Sequence, residues 1–149
     1  MKRLPTLRLK KRVYQKSGDG LCFTACVASL LGLELEDVPC FWTDDKGMSC
    51  SAKEWLKRQG YVWWELKWDR EDLGTQHEPV PAIVTGKSPR GVMHAIICEF
   101  FTMNGFHALL PLHDPHPSGA GIKEPLWMGF LLPLHSRITP VDLLTTKQE

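Results

Sequence analysis

No apolar run in the 149-residue chain approaches the roughly 18 residues that a membrane span needs, so no spanning helix is expected. A secretory signal pattern is missing as well. Lys2, Arg3, Arg8, Lys10, Lys11 and Arg12 are basic, but the residues among them never form an apolar stretch of about 7 to 15 residues. The five cysteines, Cys22, Cys26, Cys40, Cys50 and Cys98, are odd in number and follow no repeated spacing. That argues against a closed disulfide framework and for a reducing, cytoplasmic setting. There is no C-x-x-C knuckle, internal repeat or low-complexity tract. A large net charge is also lacking: the formal value is +1. This balance hides an asymmetry, because seven of the 18 Lys and Arg fall in residues 1–16, which hold no acid. We read residues 1–12 as a solvated basic arm on an acidic body rather than as a nucleic-acid contact, and residues 143–149 as a loose tail.

What is present suits one globular domain, 1–149: 43% hydrophobic and 23% charged residues at a length that a single core fills. Leu7, Leu9 and the Val13/Tyr14 pair predict a short strand within 6–14. S-G-D-G at 17–20 is a turn, and L-C-F-T-A-C-V-A-S-L-L-G-L after it predicts a buried helix at about 22–31 that stops at Gly32. E-L-E-D-V-P gives a short helical turn ended by Pro39, and a loop runs to about residue 48. Ser49 or Ser51 caps a further helix bearing Ala52, Trp55, Leu56 and Gln59, stopped by Gly60. Tyr61–Leu66, 81–86, 93–100 and 107–114 read as strands, the last three as an antiparallel meander with an Asn-Gly hairpin at 104–105. The apolar stretch 125–134 adds another. The fold class is α+β.

Cys22 opens a helix directly after a glycine-containing turn, where free N–H groups and the positive end of the helix dipole are expected to stabilise a thiolate. Cys26, one turn deeper, reads as core. His94 stands in V-M-H-A-I-I-C among apolar neighbours, an expensive place for an unused imidazole. Asp114 in H-D-P-H-P lies one strand later, so a hairpin sets the two side by side. The order Cys, His, Asp suits a thiol nucleophile, a general base and a carboxylate that fixes the base's tautomer. Gln15 is the candidate oxyanion donor beside the N–H of Cys22. His113, Asp114 and His116 alternate along a strand, which argues against a metal site. The better reading is a rigid loop with Pro115 and Pro117 fixing its path and Gly119 and Gly121 admitting a substrate backbone. Arg90 and Gly91 in S-P-R-G belong to the cleft rim, with Arg90 placed to hold a carboxylate. Trp55, Trp63 and Trp64 read as core, while Trp42 and Trp68 flank acidic loops and could line a groove.

The blocks Q-K-S-G-D-G-L-C-F-T-A-C-V-A-S-L-L-G-L-E-L-E-D-V-P, G-K-S-P-R-G-V-M-H-A-I-I and H-D-P-H-P-S-G-A-G resemble small bacterial and phage proteins of the papain-like cysteine peptidase superfamily. The likeness is to proteins near the bacteriocin-leader (double-glycine) peptidases, and it covers roughly residues 13–122. It departs from them in placing Gly20 and Leu21 between Asp19 and Cys22, with Gln15 seven residues before the cysteine. The resemblance implies a helix bearing the nucleophile packed on an antiparallel sheet bearing histidine and acid. It also implies Cys22 as nucleophile, His94 as base, Asp114 as orienting acid and Gln15 as oxyanion residue, with a glycine before the scissile bond. The expected function is a cysteine hydrolase cleaving a peptide or isopeptide bond through a thioacyl intermediate, without metal or organic cofactor. Its partner is a peptide or protein substrate bound with the help of Arg90, Gly91, Trp42 and His116, with no membrane and no nucleic acid. The rival expectations are an inactive binding or inhibitor module on the same fold and a thioester-forming acyltransferase or amidase.

Overall fold

A computed structural model of the chain describes residues 7–16, 21–40, 42–43, 47–48, 50–68 and 74–134, with the side chains of 42–43, 47–48 and 50 outside the description. Helix α1, Cys22–Leu31, is built of Ala, Leu and other small or apolar residues on every face, and it is buried from Phe23 to Leu30. A helix apolar all round belongs inside a core. It ends where the N–H of Gly32 bonds to the carbonyl of Ala28. A 3-10 turn at Leu35–Asp37 follows and stops short of Pro39. Where a loop was expected, β1 (Trp42–Thr43) and β2 (Gly47–Met48) form a minimal antiparallel ladder. Helix α2, Cys50–Arg58, buries Ala52 and Leu56 one turn apart. Ser49, the first of the two expected caps, lies outside the described residues, and Ser51 is already within the helix.

Five strands make an antiparallel sheet: β3 (Tyr61–Lys67), β4 (Val80–Lys87), β5 (Met93–Met103), β6 (Phe106–His113) and β7 (Glu124–Pro133), in the order β3-β7-β4-β5-β6. The meander β4-β5-β6 is the expected one. Its second turn places Asn104 at φ 53 and Gly105 at φ 80, the left-handed pair that matches the twist of a two-residue hairpin. The last strand does not add to an edge: β7 returns between β3 and β4.

Strand alternation gives the sheet two apolar faces. Ile83, Ala95, Ile97 and Leu131 pack with α1 and α2, together with Trp55 and Trp63. Val84, Ile96, Cys98, Phe100, Met128 and Phe130 form the opposite cluster, joined by Trp64 and Trp68. Trp68, expected to line a groove, instead stands edge-on to Phe100 with ring centroids 6.2 Å apart. Among the described residues no helix is long and apolar enough to cross a membrane.

The N-terminal segment departs from expectation. Residues 7–16 are extended but belong to no strand. Leu7 and Val13 are buried, and the backbone amides of Lys10, Lys11 and Val13 bond to α1 rather than to a strand. The N–H groups of Lys10 and Lys11 both reach the carbonyl of Ser29, and that of Val13 donates to Ser29 Oγ at 2.9 Å. Ser29 Oγ in turn donates to the carbonyl of Ala25 at 2.7 Å. The described part of the basic arm is therefore pinned through its backbone while Arg8, Lys10 and Arg12 stay exposed, and residues 1–6 and 143–149 lie outside the described residues. Farther on, the segment runs beside the end of β6. His113 Nε2–H donates to the carbonyl of Val13 at 2.7 Å, and the N–H of Gln15 donates to the carbonyl of Pro115 at 2.9 Å.

Ser29, fully buried, is thus the knot between this segment and α1. Ser29→Ala leaves the N–H of Val13 without its acceptor, and an unsatisfied buried donor costs about 1–3 kcal/mol. Urea denaturation is expected to show that loss with an unchanged m-value. A change within about 0.3 kcal/mol would mean the segment contributes little.

Candidate active site

Strand β5 is paired on both sides only from Ile97 onward, because β6 joins it at Ile97↔His113. Between Met93 and Ile96 the β6-facing edge of β5 is open, and the start of α1 lies against it. Ala95 turns both backbone groups to the helix: its N–H approaches the sulfur of Cys22, and its carbonyl accepts from the thiol of Cys26 at 3.6 Å. The Cys22 sulfur therefore rests on the backbone one residue beyond His94. Leu21, at the helix N-cap, makes no side-chain cap. That leaves first-turn amides uncapped by a side chain, and those of Cys22 and Phe23 also turn to the sulfur.

The same end of the sheet supplies the imidazole and the acid. His94 Nε2–H donates to Asp114 Oδ1 at 2.6 Å, with side-chain exposures of 3% and 13%, so little water competes for the bond. The loop after β6 then curls round the carboxylate. The N–H of His116 donates to Oδ1 at 2.9 Å and that of Gly121 to Oδ2 at 2.8 Å. Gly121 takes φ 75 to deliver that N–H, a conformation few side chains tolerate. It was expected to admit a substrate backbone; it holds the acid instead. The ring of His116 stands edge-on to His94, centroids 5.9 Å apart. With Nε2 spent on Asp114, Nδ1 is the ring position left to exchange a proton.

The electrostatics follow from these contacts. Burial raises the Asp114 carboxyl, but hydrogen bonds from His94, His116 and Gly121 outweigh it and hold the group below the usual carboxylate value. A carboxyl depressed in the folded state stabilises the fold above about pH 4, and this contribution falls away as pH drops through the lowered value. Asp114→Asn is expected to flatten the acid limb of a stability–pH curve. An acid limb identical to that of the parent chain would refute the assignment.

Cys22 differs from the expected thiolate. Burial pushes its thiol up from the ordinary value of 9.0, and the N–H groups of Ala95, Phe23 and Cys22 only partly offset this, while the negative charge of Asp114 adds to the rise. A helix start supplies donors, but the desolvation of this helix start is larger. Cys26 is fully buried and its thiol is pushed well above the same value by burial, in keeping with a core role.

Gln15 is buried, and its Oε1 has no hydrogen-bond partner. Its backbone bond to Pro115 fixes it beside the acid-bearing loop. Arg90 and Gly91 are exposed in the turn that delivers β5, closed by Gly91 N–H to the carbonyl of Ser88 at 2.9 Å, and neither bonds to Cys22, His94 or Asp114. The side chain of Trp42 lies outside the described residues. Among the described residues no cluster of three His, Cys, Asp or Glu is placed to hold a metal ion. His113 is occupied by Val13. Ala95 and the amide of Gly121 carry no side-chain signature, so sequence reading passed over their roles. No family model, curated protein or solved structure matches the chain.

Proposed function

We propose that the chain is a single papain-like domain acting as a cysteine hydrolase on a peptide or isopeptide bond. The observation that carries this reading is the His94–Asp114 bond at 2.6 Å together with the Cys22 sulfur seated on the next residue's N–H. Because burial keeps Cys22 protonated, the thiol is activated at the moment of attack rather than in the resting protein. The S–H proton passes to His94 Nδ1 as sulfur bonds to the scissile carbonyl carbon. The resulting oxyanion meets the N–H of Cys22 and the carboxamide of Gln15. His94 then returns its proton to the departing amine, leaving a thioester, and water activated by His94 releases the acid and restores the thiol. Asp114 keeps the ring proton on Nε2 throughout, so Nδ1 remains the working nitrogen.

The test is covalent capture. A peptidyl acyloxymethyl ketone incubated with the full chain is expected to add to Cys22 ahead of the exposed Cys40, as read by peptide mass spectrometry. Preferential labelling of Cys40 would favour an inactive binding module. The raised thiol adds a pH signature: with its value pushed above 9.0, under about one per cent of Cys22 is thiolate at pH 7. Simple alkylation by iodoacetamide should accordingly be slow at neutral pH and climb beyond pH 9, unlike turnover, in which His94 removes the proton. Rapid alkylation at pH 6 would show a preformed thiolate and overturn this mode of activation.

A further inference from the structure

Beside Asp114 a cleft of about 300 Å³ opens between the N-terminal segment and the loop that follows β6. Pro111 and Pro117 give it apolar walls, and its side-chain polar groups come from Arg12, Tyr14, His113, Asp114 and His116. Two of these are already engaged, Asp114 as an acceptor and His113 as a donor. Asp114 receives His94, His116 and Gly121, and His113 is bonded to Val13. What remains is a surplus of donors. Arg12 is anchored by one guanidinium nitrogen on the carbonyl of Leu112 at 2.5 Å, and among the described residues no carboxylate pairs with it. The acids that meet this segment, Glu34 and Glu36, are taken by Lys11 and Lys16. The Nδ1 of His116 accepts the N–H of Ser118 at 3.0 Å, which puts the ring proton of the neutral imidazole on Nε2 as a donor. Tyr14 is held edge-on to His113 at 4.9 Å, so its phenol has a fixed position on the rim.

A planar guanidinium with an imidazole N–H and a phenol, between apolar walls and beside a carboxylate whose two oxygens are already bonded, matches a further carboxylate. We propose that this cleft is a subsite for a carboxylate of the bound chain. His116 joins it to the candidate base, its ring 5.9 Å from that of His94. The word subsite rests on the hydrolase reading above, whereas the anion preference rests on the cleft alone.

The experiment is a titration of the full chain followed by amide NMR with three probes. N-acetylglutamate α-methylamide offers a side-chain carboxylate, N-acetylalanine a C-terminal one, and N-acetylglutamine α-methylamide neither. Saturable shifts at the amides of Tyr14, Leu112 and Gly119 are expected with at least one carboxylate probe, and the probe that saturates more tightly names the source. Arg12→Gln should weaken that binding about tenfold or more, the loss of a charge-assisted pair. Equal response to the neutral probe, or no saturation by any of the three, overturns the proposal. These outcomes compare probes on the unaltered chain, so they hold even if the variant misfolds. They are also independent of capture at Cys22, whose absence would count against the hydrolase and not against the cleft.

Discussion

Cys22→Ala is expected to abolish adduct formation and hydrolysis, and His94→Ala to slow both by about 10²–10⁴-fold, the usual worth of a positioned general base. The two losses should not add. If sulfur and imidazole act as one unit, the double variant is no slower than Cys22→Ala alone. The raised Cys22 thiol makes the His94 effect diagnostic. A preformed thiolate would keep much of its reactivity toward a strong electrophile when the base is removed, whereas a thiol that must be deprotonated during attack would not. Raising the pH toward 10 should therefore restore part of the His94→Ala labelling rate, because hydroxide takes over the deprotonation. A His94→Ala rate equal to that of the parent chain at pH 7 would sink the proposed mechanism. Asp114→Ala should fall between the two, since it removes the group that fixes the tautomer but leaves the base.

A large loss of stability is also expected away from the chemistry, at Gly129 in β7. A methyl group there would sit 2.0 Å from the indole of Trp63, far inside contact distance. The indole has little room to retreat. Its other neighbour is Phe23 at the start of α1, edge-on with centroids 5.1 Å apart. Gly129→Ala thus drives Trp63 against the residue next to Cys22. Overpacking of this kind costs about 1–3 kcal/mol and at times more, and here the strain is directed at the helix end that positions the sulfur. We expect a cost at or above the top of that range in chemical denaturation and a reduced labelling rate at Cys22 in the protein that remains folded. Trp63→Leu in the same chain should recover part of both, giving a coupling energy of at least about 1 kcal/mol in the double-mutant cycle. Additive effects would show that the indole is not the obstacle. Gly86 makes an instructive contrast: a methyl group there would meet the backbone oxygen of Glu124 at 2.0 Å, and no side-chain replacement relieves that.

Much of this architecture was legible in the residues. α1 spans Cys22–Leu31 as its composition and Gly32 require, and the Asn104–Gly105 hairpin sets the register that brings β6 back along β5. That register ends at Ile97↔His113, and the pairing of His94 with Asp114 is made beyond it, by the loop after β6 whose amides hold the carboxylate. What could not be read depends on long-range packing. The alternation of Leu7, Leu9 and Val13 satisfies a strand pattern, but the segment found its partners in Ser29 and in the end of β6. The insertion of β7 between β3 and β4 has no local signal, because a strand's hydrophobicity does not name its neighbour. The thiol of Cys22 was misjudged for a related reason. Helix position is a local property that indicates donors, while desolvation depends on everything packed around the sulfur.

The placement of β7 also bears on how the protein matures during synthesis. Strands β4, β5 and β6 hydrogen-bond in turn, but among the described strands β3 joins them only through β7, which follows all of them in the chain. Until residues 124–133 emerge, the nascent chain holds a hairpin ladder and a stray ribbon with no seam between them, and Trp63 has no glycine to lie against. Such distant closures are the slow steps of folding. Under the proposed function, Cys22 is translated early, while His94 and Asp114, the residues that would let it act, follow late in the chain.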